Sequence, residues 1–370
     1  MRASPRSNGI DLIRAAAIIL VLLHHFNIAY HLPASPLGTV LSPWLVRAIC
    51  RNGNYGVTMF FAVSGYLITS NALHRSGRLS AISLPAFYRR RIARILPCLL
   101  LLLILVNVLG LSRVPMFTNT PESGPPVSFA QADLAALTFR MNVLMTHAGW
   151  FNYCLCVLWS LSVEEVFYLA FPLLCVVLRR DALLLAFWLA VIAIGPAWRW
   201  THQSDDSGFL YAYLACFDGI AIGCCAALLS RRITISPAAA RIAVWLLVPG
   251  LSALYLARSI HDTNIWGVTA MAAGTALLIL ATERLPARHP GLFARLFGAV
   301  GRRSYELYLF HLLVLATLRL LIPPTQLPRD AVIPWLALYL GVALIVSAII
   351  ARAYSEPANR MIRQNSRVLV

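Results

Sequence analysis

The sequence predicts an all-α integral membrane protein, a bundle of about ten transmembrane helices with both termini cytoplasmic. Of its 370 residues, 59% are hydrophobic and only 12% are charged, and the mean hydropathy is +0.74. A soluble domain is nearer one half apolar and one quarter charged. The apolar residues also form continuous runs of about 17 to 25, the length at which a helix crosses a bilayer. These runs lack the alternation typical of β-barrel strands.

The predicted spans, in chain order, are 10–30, 55–72, 95–111, 154–178, 182–198, 208–230, 240–257, 264–281, 304–322 and 331–353. The first run resembles the apolar core of a signal peptide, but it contains Asp11, Arg14, His24 and His25, and no cleavage site follows it. We therefore interpret it as a retained span. No soluble stretch is long enough for a second domain, so a single transmembrane domain is predicted over 1–370.

The arginines predict the orientation of the bundle. All 31 basic residues are arginine. With the N-terminus inside, 22 arginines flank the inner ends of the spans, 7 lie in outer loops, and Arg14 and Arg319 lie within spans. Inner loops carry the excess of positive charge in membrane proteins, so both termini are predicted to be cytoplasmic. This rule accounts for the net charge of +17 without a nucleic-acid partner.

The sequence contains no pattern of a metal or nucleotide site. The eight cysteines form no CxxC pair and most lie inside apolar runs, so we interpret them as small hydrophobic residues. GxGxxG, Walker and HExxH motifs are absent from the sequence.

Ionisable side chains in the first span are the strongest functional signal, because a charge in the bilayer costs several kcal/mol unless it faces water or a partner. Arg14 and His25 are three helical turns apart, so they share one face at a separation of about 16 Å along the axis. Asp11 lies one turn before Arg14 and is predicted to pair with it. Imidazole suits proton transfer from a hydroxyl near neutral pH. The structural alternative is that His25 bonds a neighbouring helix and Arg14 reaches the lipid headgroups.

The fourth span contains WSLSVEEVFYLAFP, in which Glu164 and Glu165 are adjacent. Adjacent helical residues diverge by about 100°, so the two carboxylates do not form a paired site. Glu164 shares a face with Ser160 and Tyr168 and is expected to face the bundle, whereas Glu165 is expected to face a membrane edge or a loop. A carboxylate there could orient His25 as in a catalytic triad, or form a structural hydrogen bond between helices.

The second inner loop reads FYRRRIARILP. Its four arginines, Arg89, Arg90, Arg91 and Arg94, fit anionic lipid or a polyphosphate, which guanidinium binds bidentately. From the residues alone, the lipid interpretation is preferred.

Other polar positions give weaker signals. Ser64–Gly65 is predicted to let helices approach closely or to break the second span. Asp218, and Glu306 with His311, are predicted to lie at span ends that water reaches.

Five segments of the chain, taken in order, carry a family resemblance. They are GIDLIRAAAIILVLLHH, NYGVTMFFAVSGYLIT, FYRRRIARILP, WSLSVEEVFYLAFP and GRRSYELYLFHLLV, followed by SEPANR. Together they resemble the acyltransferase-3 family of membrane acyltransferases over residues 9–360. Arg14 and His25 fit the family's Arg-x10-His pattern.

The resemblance implies transfer of an acyl group, usually acetyl, from cytoplasmic acyl-CoA to a hydroxyl, with acetyl-CoA as the donor and no metal. The implied acceptors are sugars of surface polysaccharide, lipopolysaccharide or lipo-oligosaccharide, and sometimes antibiotics, at the bacterial inner membrane. The resemblance makes His25 the catalytic histidine and Arg14 its partner, and it favours CoA phosphates as ligands of the RRRIAR loop. Some members have an extra C-terminal hydrolase-like domain, which this chain is expected to lack.

These residues give a predicted reaction centre. His25 removes the proton of the acceptor hydroxyl, Glu164 orients the imidazole or stabilises its charge, and Arg14 binds a phosphate or stabilises the oxyanion. An acyl-histidine intermediate is an alternative. The residues expected to contact substrates are Asp11, Ser64, Trp159, Tyr168 and His311. Membrane lipid and a carbohydrate or glycolipid acceptor are the expected partners, and the outer segment 113–150 is expected to help choose the acceptor.

Two other functions remain open from the sequence. A secondary transporter would move a sugar or an organic acid through the same polar cavity, although the repeated halves typical of transporters are not visible in the sequence. A scaffold or lipid-sensing protein would use the loop arginines but leave Arg14, His25 and Glu164 unexplained. Release of CoA on addition of acetyl-CoA and acceptor separates an enzyme from both.

Overall fold

The structure, a computed structural model, describes residues 8–121, 124–286 and 291–364. Over these ranges the chain is helical and contains no β-strand. Nine of the described helices are long and apolar enough to cross a membrane. The prediction of an all-α, multi-pass membrane bundle is confirmed.

Seventeen α-helices occur in the described ranges. The first seven are α1 (Asn8–Tyr30), α2 (Pro36–Leu41), α3 (Pro43–Arg51), α4 (Gly53–Ser76), α5 (Leu84–Leu111), α6 (Phe129–Leu137) and α7 (Met141–Ala148). The next five are α8 (Leu158–Leu178), α9 (Asp181–Thr201), α10 (Tyr213–Ser230), α11 (Pro237–Ala257) and α12 (Ile260–Thr263). The last five are α13 (Gly267–Glu283), α14 (Leu292–Arg302), α15 (Ser304–Leu321), α16 (Val332–Ile350) and α17 (Glu356–Gln364).

One predicted span differs from the others in the structure. The span predicted at 264–281 corresponds to α13, which has 17 residues. A helix of that length is about 25 Å long, less than the roughly 30 Å of the bilayer's apolar core. Helices α4, α10 and α11 pack around α13. The prediction of about ten transmembrane helices agrees with nine long helices and one shorter apolar helix, α13, within the described residues.

Small residues determine how closely α4 and α10 cross. Gly65 on α4 faces the backbone carbonyl of Ile220, and Gly223 on α10 faces the backbone carbonyl of Ala62. At both positions a Cβ atom would overlap the opposite carbonyl. The helix α4 is continuous through this crossing. The expectation of close helix approach at Ser64–Gly65 is confirmed, and its alternative, a broken span, is wrong.

A fully buried ion pair joins α9 to α10 and α13. The guanidinium of Arg199 donates to the carboxylate of Asp218 at 2.8 and 3.2 Å, and both side chains are 0% exposed. The same guanidinium also donates to Ala215, Ile265 and Thr269. The prediction that water reaches Asp218 at a span end is therefore wrong. This carboxylate lies inside the bundle, where its cationic partner and hydrogen bonds compensate the loss of hydration.

Candidate active site

Helices α1, α4, α8 and α15 line two adjacent cavities, and α5 also lines the first of them. The first, the arginine cavity, has a volume of about 110 Å³, and its charged and hydroxyl-bearing lining includes Arg14, Ser64, Arg91, Arg94, Ser160, Glu164 and Tyr168. The second, the histidine cavity, has a volume of about 350 Å³, and its imidazole and aromatic lining includes His24, His25, Trp150, Tyr153, Trp159 and Tyr211. Val57 and Tyr308 line both cavities.

The two cavities are stacked along the axis of the bundle. On α1, Arg14 lines the arginine cavity and His25, eleven positions later, lines the histidine cavity. At 1.5 Å per residue these positions are about 16 Å apart along the helix axis. The lining residues of α15 follow the same order, and those of α4 and α8 follow the reverse order. The cavities therefore lie at different depths, one toward each face of the bundle.

Tyr308 on α15 separates the two cavities. Its hydroxyl donates to the carbonyl of Val157 at 3.0 Å and lies 2.6 Å from the hydroxyl oxygen of Ser160. Val57 lies at the same boundary on α4, because it too lines both cavities. A molecule that extends from one cavity into the other has to pass these side chains.

Arg14 is held in the wall of the arginine cavity by α15. Its Nη2 atom donates to the hydroxyl of Ser304 at 2.9 Å, and the residue is only 7% exposed. Asp11 forms an ion pair with Arg302, at 3.5 Å, rather than the pair with Arg14 that their spacing allowed. The reason is a close crossing of α1 and α14, where Gly301 lies against the backbone carbonyl of Asp11. Asp11, predicted to contact substrate, lines neither cavity.

Glu164 faces the arginine cavity together with Ser160 and Tyr168, and the orientation predicted from their spacing is confirmed. The hydroxyl of Tyr168 donates to Glu164 at 2.6 Å and also bonds the hydroxyl of Ser64. Glu164 belongs to the arginine cavity, whereas His25 belongs to the other one. Among the described residues no hydrogen bond joins these two side chains, so the structure does not bring Glu164 to the imidazole, and its role toward His25 stays a prediction.

Glu165 is buried as well, with 5% exposure. Its carboxylate lies within electrostatic range of Arg91 and Arg94 on α5 and of Tyr305 on α15. The expectation that Glu165 faces a membrane edge or a loop is therefore wrong, because α5 and α15 cover this face of α8.

The predicted phosphate-binding arginines divide into two pairs. Arg91 and Arg94 line the arginine cavity, and the guanidinium of Arg91 lies 4.1 Å from the centre of the Tyr168 ring. Arg89 and Arg90 line neither cavity. The first pair is therefore placed to contact a ligand inside the cavity.

Two further arginines, Arg75 and Arg363, extend this positive cluster. Arg75 at the end of α4 and Arg363 on α17 both lie within electrostatic range of Arg90, and Arg363 is also within range of Arg91 and Arg94. Neither residue was singled out from the sequence. Arg363 joins the cluster because α17 packs on α5, the helix that carries Arg91 and Arg94, and this contact between distant segments is not visible in the sequence.

His25 contacts a second imidazole rather than a carboxylate. Its Nδ1 atom lies 2.9 Å from the carbonyl oxygen of Val21 and 3.3 Å from Nε2 of His311. The neighbouring His24 also lines the histidine cavity, but its Nδ1 atom lies 2.8 Å from the carbonyl oxygen of Cys50. Of the two adjacent histidines, only His25 lies on the same face of α1 as Arg14, and only His25 contacts His311.

His311 lies behind the cavity wall. It is 1% exposed and lines neither cavity, so its predicted contact with substrate is not seen. Glu306, one turn and a half earlier on α15, is also buried and accepts a hydrogen bond from Ser355 at 2.8 Å. The prediction that water reaches these two side chains at a span end is wrong, because the surrounding helices cover them.

Aromatic side chains form much of the wall of the histidine cavity. Trp159 and Tyr211 meet with ring centres 4.8 Å apart, and Trp150 contacts Tyr211 from the other side at 6.1 Å. Burial raises the pKa of Tyr153 to about 12, so its phenol stays protonated and can donate a hydrogen bond. Trp150 belongs to the segment expected to help choose the acceptor, and Trp159 is one of the predicted substrate contacts.

The cysteines line neither cavity. All eight are buried, and none forms a disulfide within the part of the chain that the structure describes. Across the ranges that the structure describes, no group of three or more His, Cys, Asp or Glu side chains could hold a metal ion.

Comparisons with known proteins identify the family of this chain. The sequence profile of the acyltransferase-3 family, described as an acyltransferase domain, matches residues 7–352. The O-acetyltransferase OatA of Staphylococcus aureus strains NCTC 8325, COL and MRSA252 is 27% identical over 330 residues, which cover 82% of this chain and 49% of the relative. The chain thus spans about half the length of these curated relatives. No solved structure matches the chain.

The matched range contains Arg14, His25 and every lining residue of the two cavities. It also extends over most of the 370 residues. The chain therefore belongs to the acyltransferase-3 family.

Proposed function

We propose that the protein is a membrane O-acyltransferase. It moves an acyl group, acetyl being the expected one, from cytoplasmic acyl-CoA to a hydroxyl of a sugar in a surface polysaccharide, lipopolysaccharide or lipo-oligosaccharide of a bacterium. The observation that carries this proposal is the stacking of an arginine-lined cavity on a histidine-lined cavity, with Tyr308 and Val57 at their boundary. The name of the OatA relatives supports O-acetyl transfer.

The arginine cavity suits the acyl donor. Coenzyme A carries a pyrophosphate and a 3′-phosphate, and guanidinium groups pair with phosphate bidentately. Arg91 and Arg94 in the cavity wall, with Arg75 and Arg363 beside them, provide this chemistry at one mouth of the bundle. That mouth is on the side predicted to be cytoplasmic by the arginine distribution, where acyl-CoA is available.

The histidine cavity suits the hydroxyl acceptor. Its volume of about 350 Å³ is within the range of small-ligand sites, roughly 300 to 1,000 Å³. The rings of Trp150, Trp159 and Tyr211 offer flat apolar faces, against which the C–H faces of a sugar ring can pack. The acceptor therefore enters from the face opposite the donor, and the acyl group crosses the boundary at Tyr308.

The transfer step follows from the position of His25. Its imidazole accepts the proton of the acceptor hydroxyl while the hydroxyl oxygen forms a bond to the thioester carbon. The C–S bond then breaks, and the departing thiolate takes the proton to become the free thiol of CoA. Because Arg14 is about 16 Å from His25 along the helix axis, we assign it to the donor rather than to the oxyanion. Direct transfer and an acyl-histidine intermediate both satisfy this geometry.

The experiment that tests the function uses the purified protein in lipid nanodiscs. Acetyl-CoA labelled in the acetyl group is added with glycans extracted from the cell surface, and released CoA thiol and label on the glycan are measured together. The proposal requires both products in equal amounts. A transporter or a scaffold would release no CoA. If the folded protein released no CoA in this assay, the proposal that it is an acyltransferase would be refuted.

Neutralising the donor site should weaken donor binding selectively. The double substitution Arg91→Gln and Arg94→Gln is expected to raise the KM for acetyl-CoA by about 10- to 100-fold, because it removes charge-assisted hydrogen bonds to phosphate. The KM for the acceptor should stay unchanged. Arg295→Gln, an exposed arginine on α14, is the matched control and should leave both constants unaltered. An unchanged donor KM in the double variant would contradict the assignment.

A further inference from the structure

The two imidazoles of His25 and His311 meet between α1 and α15. Their ring centres are 4.9 Å apart, and Nε2 of His311 is 3.3 Å from Nδ1 of His25. Apart from this contact, His25 has one hydrogen-bonding neighbour in the described structure, the backbone carbonyl of Val21. The ring of His24 also lies against that of His25, with centres 5.5 Å apart, but His311 is the side chain within hydrogen-bonding distance of a His25 ring nitrogen.

The backbone carbonyls around the pair determine where the protons lie. A carbonyl oxygen only accepts hydrogen bonds, so a ring nitrogen that faces one must carry a proton. Nδ1 of His311 lies 2.7 Å from the carbonyl oxygen of Tyr308 and 3.2 Å from that of Leu307, so this atom is the N–H. A neutral His311 then has its lone pair on Nε2, the atom that faces His25.

The proton on the His25 ring is located in the same way. Its Nδ1 atom faces the carbonyl oxygen of Val21 and the lone pair of His311, and both are acceptors. Nδ1 is therefore the protonated atom, with its N–H shared between the two acceptors. The lone pair of a neutral His25 is left on Nε2, where the ring is free to take a proton from a hydroxyl. The arrangement thus selects the tautomer that a general base requires.

We propose that His311 is the positioning residue of His25, in the place that a carboxylate takes in a catalytic triad. It holds the ring and its tautomer before transfer, and it accepts a stronger hydrogen bond from Nδ1 once His25 becomes an imidazolium. During the step, Nε2 of His25 gains the hydroxyl proton and passes it to the departing thiolate, while His311 keeps its own proton on Nδ1. A neutral imidazole also costs less to bury among apolar helices than a carboxylate. This inference rests on the proposed function.

Two substitutions of His311 by similar amides distinguish a positioning role toward His25 from a role in packing alone. In His311→Gln the amide oxygen can occupy the place of Nε2 and still accept from His25. In His311→Asn the shorter amide can bond the carbonyl of Tyr308 but does not reach His25. We expect kcat to fall less than about 10-fold in the Gln variant and about 100-fold in the Asn variant, the upper range for loss of an orienting partner. The KM values for acetyl-CoA and acceptor should change little in either.

A double variant completes the test. In a His25→Gln background, His311→Asn should cause no further loss of kcat, because its effect passes through His25. Equal loss in the Gln and Asn variants, a raised acceptor KM without a change in kcat, or an additive loss in the double variant would overturn the proposal. Thermal unfolding in nanodiscs confirms that each variant is folded. If the unsubstituted protein released no CoA, the proposed function itself would be refuted, and this result is distinct from those that overturn the role of His311.

Discussion

The substitution His25→Gln is expected to reduce acyl transfer on the order of 10³-fold, while binding of acetyl-CoA remains intact. General-base catalysis accounts for about 10² to 10⁴ in rate, and His25 is the imidazole that lines the acceptor cavity and contacts His311. Donor binding should persist because the arginines that hold the donor belong to the other cavity. Initial rates of CoA release and equilibrium binding of labelled acetyl-CoA measure the two quantities.

The adjacent histidine is the matched control for this variant. His24 lines the same cavity, but its ring is directed to the carbonyl of Cys50 and has no contact with His311. His24→Gln should therefore reduce transfer by much less than His25→Gln. If the His24 variant lost activity and the His25 variant kept it, the catalytic assignment would be reversed.

The second large effect concerns stability. Asp218→Ala is expected to lower the free energy of unfolding by about 3 to 5 kcal/mol, the usual cost of breaking a buried ion pair from one side. The substitution leaves the guanidinium of Arg199, which is 0% exposed, without its carboxylate partner in the middle of the bundle. Thermal or denaturant unfolding in nanodiscs measures the loss, which should also appear as a reduced yield of folded protein.

A second ion pair on the surface of the bundle provides the control for Asp218. Asp181 and Arg232 approach to 3.9 Å, with side chains 42% and 69% exposed. Because exposed pairs contribute little, Asp181→Ala should cost less than about 1 kcal/mol. Equal stability of the Asp218 and Asp181 variants would show that the buried pair does not hold α9 to α10.

Most of the correct site predictions came from the helical periodicity within single helices. The helical repeat placed Arg14 and His25 on one face of α1, and it placed Ser160, Glu164 and Tyr168 on one face of α8. Such relations depend only on residues within one helix, whose geometry is set by backbone hydrogen bonds. These relations within a helix do not depend on how the helices pack, and the predictions based on them agree with the structure.

Contacts between distant helices could not be derived in the same way. His25 and His311 are 286 positions apart, and Arg199 and Asp218 lie on different helices. Periodicity shows which face of a helix is polar, but it does not show which neighbour that face meets. For this reason Glu164, rather than His311, was predicted from the sequence to act on the imidazole.

The most direct test of the account uses sealed vesicles in which the protein has a single orientation. Acetyl-CoA, which does not cross a bilayer, is placed on the side of Arg91 and Arg94, and soluble acceptor glycan is placed on one side at a time. The stacked cavities predict labelled glycan when the acceptor is on the side of His25, opposite the donor. Transfer only to acceptor on the same side as the donor would contradict the proposed path past Tyr308.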